Sequence, residues 1–463
     1  MKSWADKKVL VLGLGETGLS MLRWLSAQGA RLRAADSRTV PPNLAEAIQY
    51  VEPDQIFCGE FSDVLLEGIE LVAISPGVPL RDPVVAKAVA RGIPVAGDIE
   101  LFAQQLAANG YRLTTKVIAI TGANGKTTVT SMVEHLCKAA GKDAIAAGNI
   151  SPAVLDVFME RGANQPEVWV LELSSFQLET TSTLNADAAT VLNISEDHLD
   201  RYAGMDEYSA AKARIFNGCG VQVLNRDDVR SMGMARRACR VVTFGLNPPQ
   251  HEGDFGTAPV AGEIWLMQGS KPLIKAGDLL VVGMHNVANA LAALALCRAI
   301  DLPMPVLLDA LRSFKGLPHR VERVAEYHGV TYYDDSKGTN VGATIAALQG
   351  LGCKAVLIAG GEGKGQDFAP LKPAVAQHAR AVVLIGRDAP LIAAALRGCG
   401  VEVLHAGDMH DAVRKAARLA QRGDAVLLSP ACASLDMYRN YQHRAEVFIA
   451  AVRSQMQEET CPR

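Results

Sequence analysis

The octapeptide TGANGKTT, Thr121 to Thr128, follows the apolar run KVIAI and sets Lys126 directly behind a glycine turn. That order suits phosphate chemistry. A strand enters, the turn Gly122, Ala123, Asn124, Gly125 aims backbone N–H groups inward, and a helix begins at once. Lys126 can then neutralise terminal phosphates, and Thr127 or Thr128 can present a hydroxyl to Mg²⁺. Only two residues separate Gly122 from Gly125, where the usual phosphate loop has four. The plain alternative is a capped strand-to-helix turn with an exposed lysine.

Two further groups stand where a nucleotide site would need them. VLELSSFQLE ends a buried-strand pattern at Glu172, and NISEDHLDRY puts His198 just past another. Ligands of open α/β sheets bind beyond the carboxyl ends of the strands. Each alone reads as a surface charge or a helix-start residue; beside a phosphate loop, a carboxylate and an imidazole suit a divalent cation. EYSAAKARIF places Lys212 on an amphipathic helix, by default as a solvated charge. A second glycine turn, GLGETG, has Gly13, Gly15 and Gly18 at dinucleotide-fold spacing. Asp36 lies near the distance at which a carboxylate meets a ribose hydroxyl. This turn suits a nucleotide sugar or a dinucleotide, or it is merely a tight βα turn.

The elements that must hold these residues repeat three times. KVLVLGLG, RLRAAD and LVAIS are short apolar strands with helical segments between them, Leu19, Leu22 and Leu25 marking the first helix face. After the polar segment Leu106 to Lys116 the pattern restarts with VIAI, EVWVLEL and AATVLNI. A weaker strand-rich stretch runs from Arg240 to Val282, followed by the helix HNVANALAALALCRAI. After Ser313 to Arg320 come KAVLIAGG, AVVLIG, VEVLHA and AVLLSPA. We therefore expect three consecutive α/β domains, over 1–108, 109–315 and 316–463. The first and third are Rossmann-like, and the central one is a P-loop ATPase-like unit with a parallel sheet.

Composition narrows the classes. Of 463 residues, 49% are hydrophobic and 21% charged, and the net charge of -3 gives no electrostatic case for a nucleic-acid or membrane partner. Nine cysteines without a C-x-x-C pair read as reduced thiols. No apolar run approaches the ~20 residues of a membrane span. A soluble, cytoplasmic protein is expected.

TGANGKTT, LELSSFQLE, NISEDHLDRY, HNVANALAALAL, LPHRVE, DDSKGTN and LSPACASLD follow the order found in the ATP-dependent Mur ligases of peptidoglycan synthesis, and the resemblance spans essentially the whole chain. YDDSKGTNVGAT, from Tyr333 to Thr344, resembles the branch that adds D-glutamate to UDP-N-acetylmuramoyl-L-alanine. The resemblance implies one nucleotide loop for a UDP-sugar substrate and the other for ATP. It implies a Mg²⁺ site at Thr127, Glu172, His198 and Lys212, the lysine carried as an N-carbamate, with Lys126 binding phosphate. Asn286, Asn289, Arg320 and Asp335 match positions around ATP, although helix capping also explains the asparagines. Lys337, Thr339, Lys364, Ser434 and Tyr441 match positions near D-glutamate; Thr17, Asp36, Ser37, Arg38, Gly77 and Asn149 match the UDP-sugar side. A monomer is expected.

Some residues depart from the family pattern. Ser37 stands where threonine is common, Ser151 and Pro152 where glycine usually follows the isoleucine, Tyr441 where phenylalanine is frequent, and Glu362 where aspartate is. None removes a group the chemistry requires. The rivals are a folylpolyglutamate-synthase-like ligase, which should lack the first domain, an NAD-binding protein, and a non-enzymatic ATP-binding scaffold. Cys432 reads as core or loop filler, since no Cys-His pattern accompanies it.

Overall fold

A computed structural model describes residues 4–197, 201–237 and 239–460. The expected α/β architecture is present, with two parallel sheets followed by a mixed one. The first sheet has five parallel strands, with Lys8–Leu12 at its centre between Arg31–Asp36 and Leu71–Ile74, and Ile56–Cys58 and Val95–Ala96 at the edges. Val9 to Leu12 are fully buried, as a strand covered on both faces must be. The helix Glu16–Ala27 leaves the glycine turn directly. A Cβ on Gly18 would lie 1.7 Å from the Gly13 carbonyl oxygen, so glycine alone permits this strand-helix approach.

The central sheet has six parallel strands, with Lys116–Thr121 between Ala188–Val191 and Val168–Glu172. The strand-rich stretch after Arg240 divides in two. Arg240–Phe244 joins this sheet at its edge, and Phe255–Val260, Glu263–Gln268 and Lys271–Lys275 form a separate antiparallel sheet. The helix Met284–Ala299 packs against Lys126–Ala139, the helix behind the phosphate loop.

The third sheet has six strands, four of them the expected ones, and begins with an antiparallel hairpin, Glu322–Tyr327 with Val330–Asp334. Its turn is His328-Gly329, both with positive φ (51° and 77°), so it has the backbone of the primed hairpin turns without their usual Asn-Gly signature. The expected first boundary, Leu106 to Lys116, is a helix end, a 3₁₀ turn at Tyr111–Leu113 and a strand start.

The two seams between sheets differ in kind. One buried apolar cluster runs from Val9 to Leu224 through both of the first two sheets. At its centre the Phe102 ring lies 4.9 Å from Trp169 and 5.8 Å from Phe158, both edge-on. Arg23 adds ion pairs to Glu46 and Asp156, and Glu100 accepts bonds from the backbone of Ser182 and Thr183. The third sheet has its own cores, and hydrogen bonds cross to the central unit: Arg320 to Thr127 at 2.8 Å and Asn340 to Asn124 at 3.0 Å. Phe102→Ala should therefore destabilise the first two sheets together by ~3–5 kcal/mol. Urea unfolding followed by tryptophan fluorescence should show one shifted transition; separate melting of the first sheet would contradict a shared core.

Candidate active site

The phosphate loop is shaped by its glycines and by two distant asparagines. Gly122 and Gly125 have φ of 159° and 83°. A Cβ on Gly125 would lie 2.7 Å from Asn289 Oδ1, so the helix Met284–Ala299 presses directly on the loop. Asn193 grips it from the other side. Its Oδ1 accepts from the Asn124 N–H at 2.8 Å, and its Nδ2 donates to the Asn124 carbonyl at 3.1 Å. Asn193 lies within the NISEDHLDRY motif, but its role is visible only once two strand ends are adjacent.

Lys126 begins the helix Lys126–Ala139 and donates to the Gly122 and Ala123 carbonyls, each at 2.9 Å. Lys212 reaches the same loop from Met205–Ala213, donating to Gly122 O at 2.9 Å and Thr121 Oγ1 at 3.2 Å. The expected solvated, amphipathic setting is thus corrected. Lys212 is 2% exposed, with its ammonium 4.8 Å from the Tyr208 ring centroid. Burial, reinforced by the nearby Lys126 charge, depresses the Lys212 pKa well below that of an ordinary lysine, while Asp197 and Glu172 oppose the shift. Burial depresses Lys126 too, against the attraction of Glu172 and Asp197.

Glu172 is the buried carboxylate of this cluster. Its Oε1 accepts from Asn149 Nδ2 at 2.9 Å, whereas Oε2 is buried without a hydrogen-bond partner. A desolvated, unpartnered carboxylate oxygen is costly unless something positive meets it. With the Thr127 hydroxyl on the same loop, this is a donor set suited to a hard cation. His198 lies outside the described residues.

Arg320 enters from the third unit. Its Nη2 donates to Thr127 Oγ1, and its neighbours His319 and Val321 hold positive φ of 62° and 50°. His319 Nδ1 lies 2.7 Å from the buried Asp334 Oδ2, and its backbone N–H donates to Glu322. These three form a tight group that fixes the turn presenting Arg320. Asp335 is buried, accepts from Ser429 Oγ at 2.7 Å, and is pushed up to about 7 by desolvation, against the pull of Ser429 and Arg320. A cavity of about 380 Å³ joins Asn124, Gly125, Thr128, Asn286, Asn289, Arg320, Asp335 and Lys337. His285 also lines it, with an imidazole held down at about 4 by burial; it sits inside a quoted motif without having been singled out. Neither asparagine caps the helix: Asn286 Nδ2 donates back to the Val282 carbonyl, and Asn289 donates to Asn286 Oδ1.

The remaining residues lie in two groups, one on the third sheet and one on the first. Lys337 Nζ lies 5.2 Å from the Tyr441 ring centroid, and Thr339 and Lys364 line one small cavity with Asp197. Glu362 and Ala433 exchange backbone bonds, tying the Lys364 loop to that of Ser434. Fully buried Arg444 ties the Ser434 loop to that of Lys337, donating to the Cys432 and Ser336 carbonyls. The Cys432 thiol is buried and pushed up to about 12, consistent with filler. On the first sheet, Asp36 accepts from the Leu14 N–H and from Arg38; burial raises it, but these bonds prevail and hold it near 2. Its oxygens therefore brace the glycine turn. Ser37 and Arg38 are exposed beside it, Thr17 is half-buried in the first helix, and Ser151 Oγ donates to Glu16 at 2.8 Å.

Comparison with known proteins bears on this arrangement directly. Residues 120–297 match the Mur ligase middle domain, 7–97 the Mur ligase MurD-like N-terminal domain, and 319–432 the Mur ligase glutamate ligase domain. The chain belongs to the Mur ligase family. Among similar Mur ligases, the UDP-N-acetylmuramoylalanine--D-glutamate ligase of Nitrosomonas europaea is 57% identical over 461 residues, covering 97% of each chain. The protein of the same name from Methylobacillus flagellatus is 59% identical over 447 residues, covering 96% of this chain and 97% of that one. The crystal structure of MurF from Acinetobacter baumannii has the same fold, with TM-score 0.61 at 16% identity, covering 97% of this chain and 91% of that one. Folylpolyglutamate synthase from Mycobacterium tuberculosis is more distant, with TM-score 0.55 at 17% identity, covering 74% of this chain and 93% of that one.

Asp335 gives a pH prediction. Its folded pKa is about 7, above the ~3.9 of a free aspartate. Between these values the folded state holds a proton that the unfolded state has lost, so ligand-free stability falls as pH rises from ~4 to ~7 and is level above. Asp335→Asn should remove that slope and stabilise the free protein at neutral pH. Thermal melts from pH 4 to 8 without nucleotide check this; an unchanged slope would refute it.

Proposed function

We propose that this chain is an ATP-dependent ligase that joins D-glutamate to UDP-N-acetylmuramoyl-L-alanine, a cytoplasmic step of peptidoglycan synthesis carried out by a monomer. The observation that carries this reading is whole-length likeness to relatives of that name, with identities of 56–59% across the first four. The first unit supports it further, since a folylpolyglutamate-synthase-like ligase was expected to lack one and residues 7–97 match a Mur N-terminal domain. We assign 1–108 to the UDP-sugar, 109–315 to ATP and 316–463 to the amino acid.

A carboxylate does not condense with an amine at neutral pH without activation. ATP phosphorylates the L-alanyl carboxylate, the D-glutamate amine attacks the resulting acyl phosphate, and phosphate leaves from a tetrahedral intermediate. Lys126 and the loop amides hold the transferring phosphate, and Arg320 stands over Thr127 to offset charge. Asn286, Asn289 and Asp335 line the nucleotide cavity. Lys337, Thr339, Lys364, Ser434 and Tyr441 receive D-glutamate, and Thr17, Asp36, Ser37, Arg38, Gly77 and Asn149 serve the sugar nucleotide. Glu172, Thr127, His198 and Lys212 as its carbamate would hold Mg²⁺. Held by these residues, a divalent ion would neutralise charge between two anionic partners.

Burial favours the neutral amine that carbamate formation needs. That amine adds to CO₂ with loss of one proton, and the carbamate nitrogen keeps one N–H for the Gly122 carbonyl. The charge reverses and oxygen ligands appear. Labelling with ¹³CO₂ should give a carbamate resonance that Lys212→Ala lacks, and turnover should fall in CO₂-depleted buffer. A missing resonance with CO₂-independent turnover would make Lys212 structural.

The assignment is tested by phosphate release with UDP-N-acetylmuramoyl-L-alanine while the amino acid is varied. D-glutamate should support turnover and L-glutamate should not; turnover with a folate and L-glutamate would overturn it. Lys126→Ala should abolish release without unfolding the chain. Lys364→Ala should raise the KM for D-glutamate about tenfold or more while that for ATP barely moves. Equal effects on both would assign the Lys364 loop to closure of the third domain.

A further inference from the structure

We propose that Arg201 is a positioning residue for the sugar nucleotide, acting across the seam between the first two sheets by fixing the turn Ser75 to Val78. This rests on the UDP-sugar reading of Gly77 given above. The Arg201 guanidinium donates to three carbonyls of that turn: Nη1 to Gly77 at 3.2 Å, and Nη2 to Pro76 at 3.2 Å and Val78 at 3.0 Å. Its outer face lies 4.3 Å from the Phe176 ring centroid, and Glu179 is 3.9 Å away. The side chain is 13% exposed, so these contacts replace water.

The turn is closed by the Val78 N–H, which donates to the Ser75 carbonyl at 3.0 Å, but that bond does not fix the direction of the middle peptide, Pro76–Gly77. It follows the strand Leu71–Ile74 and touches the glycine turn through Ser75 Oγ, which donates to Gly13 O at 2.9 Å. A Cβ built on Gly77 meets nothing within 4 Å, so this face is open to close approach. In a trans peptide the carbonyl and the following N–H point in opposite directions. With the Pro76 carbonyl turned to Arg201, the Gly77 N–H points away from it. Arg201 thereby selects one direction for the amide donor at a position assigned to ligand. A planar fork can meet three carbonyls together, whereas a lysine is a point charge.

The motif NISEDHLDRY thus carries a residue for the sugar nucleotide beside His198, assigned to the cation. Titration calorimetry of the full chain with UDP-N-acetylmuramoyl-L-alanine tests this on wild type, Arg201→Lys and Arg201→Ala. The Kd should rise about tenfold or more in Arg201→Ala and by less in Arg201→Lys. The KM for ATP and kcat at saturating sugar nucleotide should stay within about threefold, and added guanidinium should recover part of the loss in Arg201→Ala. Unchanged sugar-nucleotide affinity would overturn the proposal. So would a loss shared equally with ATP and a lowered Tm, unrelieved by guanidinium. Failure of wild type to bind the sugar nucleotide would instead sink the function itself, and this inference with it.

Discussion

Everything in the central site answers to one imbalance of charge. Lys126, Lys212, Arg320 and Lys337 all feel Glu172, and burial depresses every one of those cations. Such a cluster is poorly stable by itself, because like charges in a low-dielectric setting repel strongly. Backbone carbonyls of the loop absorb part of the cost by accepting from both Lys126 and Lys212. The rest is the drive for an anionic ligand, and the free edge of Glu172 is the complementary drive for a metal.

That imbalance explains why three sheets are needed. The central sheet supplies the loop and Glu172 from adjacent strand ends, Lys116–Thr121 and Val168–Glu172. The first sheet is fused to it through Phe102, Phe158 and Trp169, which fixes the first glycine turn relative to the phosphate loop. The third sheet brings Arg320, Asp335 and Lys337 across a polar seam, which is easier to open than an apolar one because water can replace its bonds. Rigid placement thus belongs to two partners, and adjustability to the third.

Much of this was legible in the sequence because strand ends carry the chemistry. Glu172 and Asp36 could be placed from short apolar runs alone, and the parallel sheets from the alternation of strands with helices. The hairpin at His328-Gly329 was not, since its turn lacks the usual residues. Lys212 could not be recognised as buried: its helix has neither a clean apolar face nor a break at the lysine, and what surrounds it comes from Thr121, Gly122 and Tyr208, distant in the chain. Asn193 and Arg201 stood inside quoted motifs without a role, because each acts on backbone atoms that carry no sequence signal.

Gly125 acquires a different meaning once Asn289 is seen against it. Two residues stand between Gly122 and Gly125, and the amide of a helix far along the chain occupies the space where a side chain at residue 125 would begin. The cradle is therefore composed of two segments, and neither is complete alone. The glycine at 125 and the side chain at 289 therefore behave as a single heritable character: any side chain at 125 collides unless Asn289 shrinks, and shrinking Asn289 alone leaves a gap against the glycine. Lineages can be expected to change both or neither.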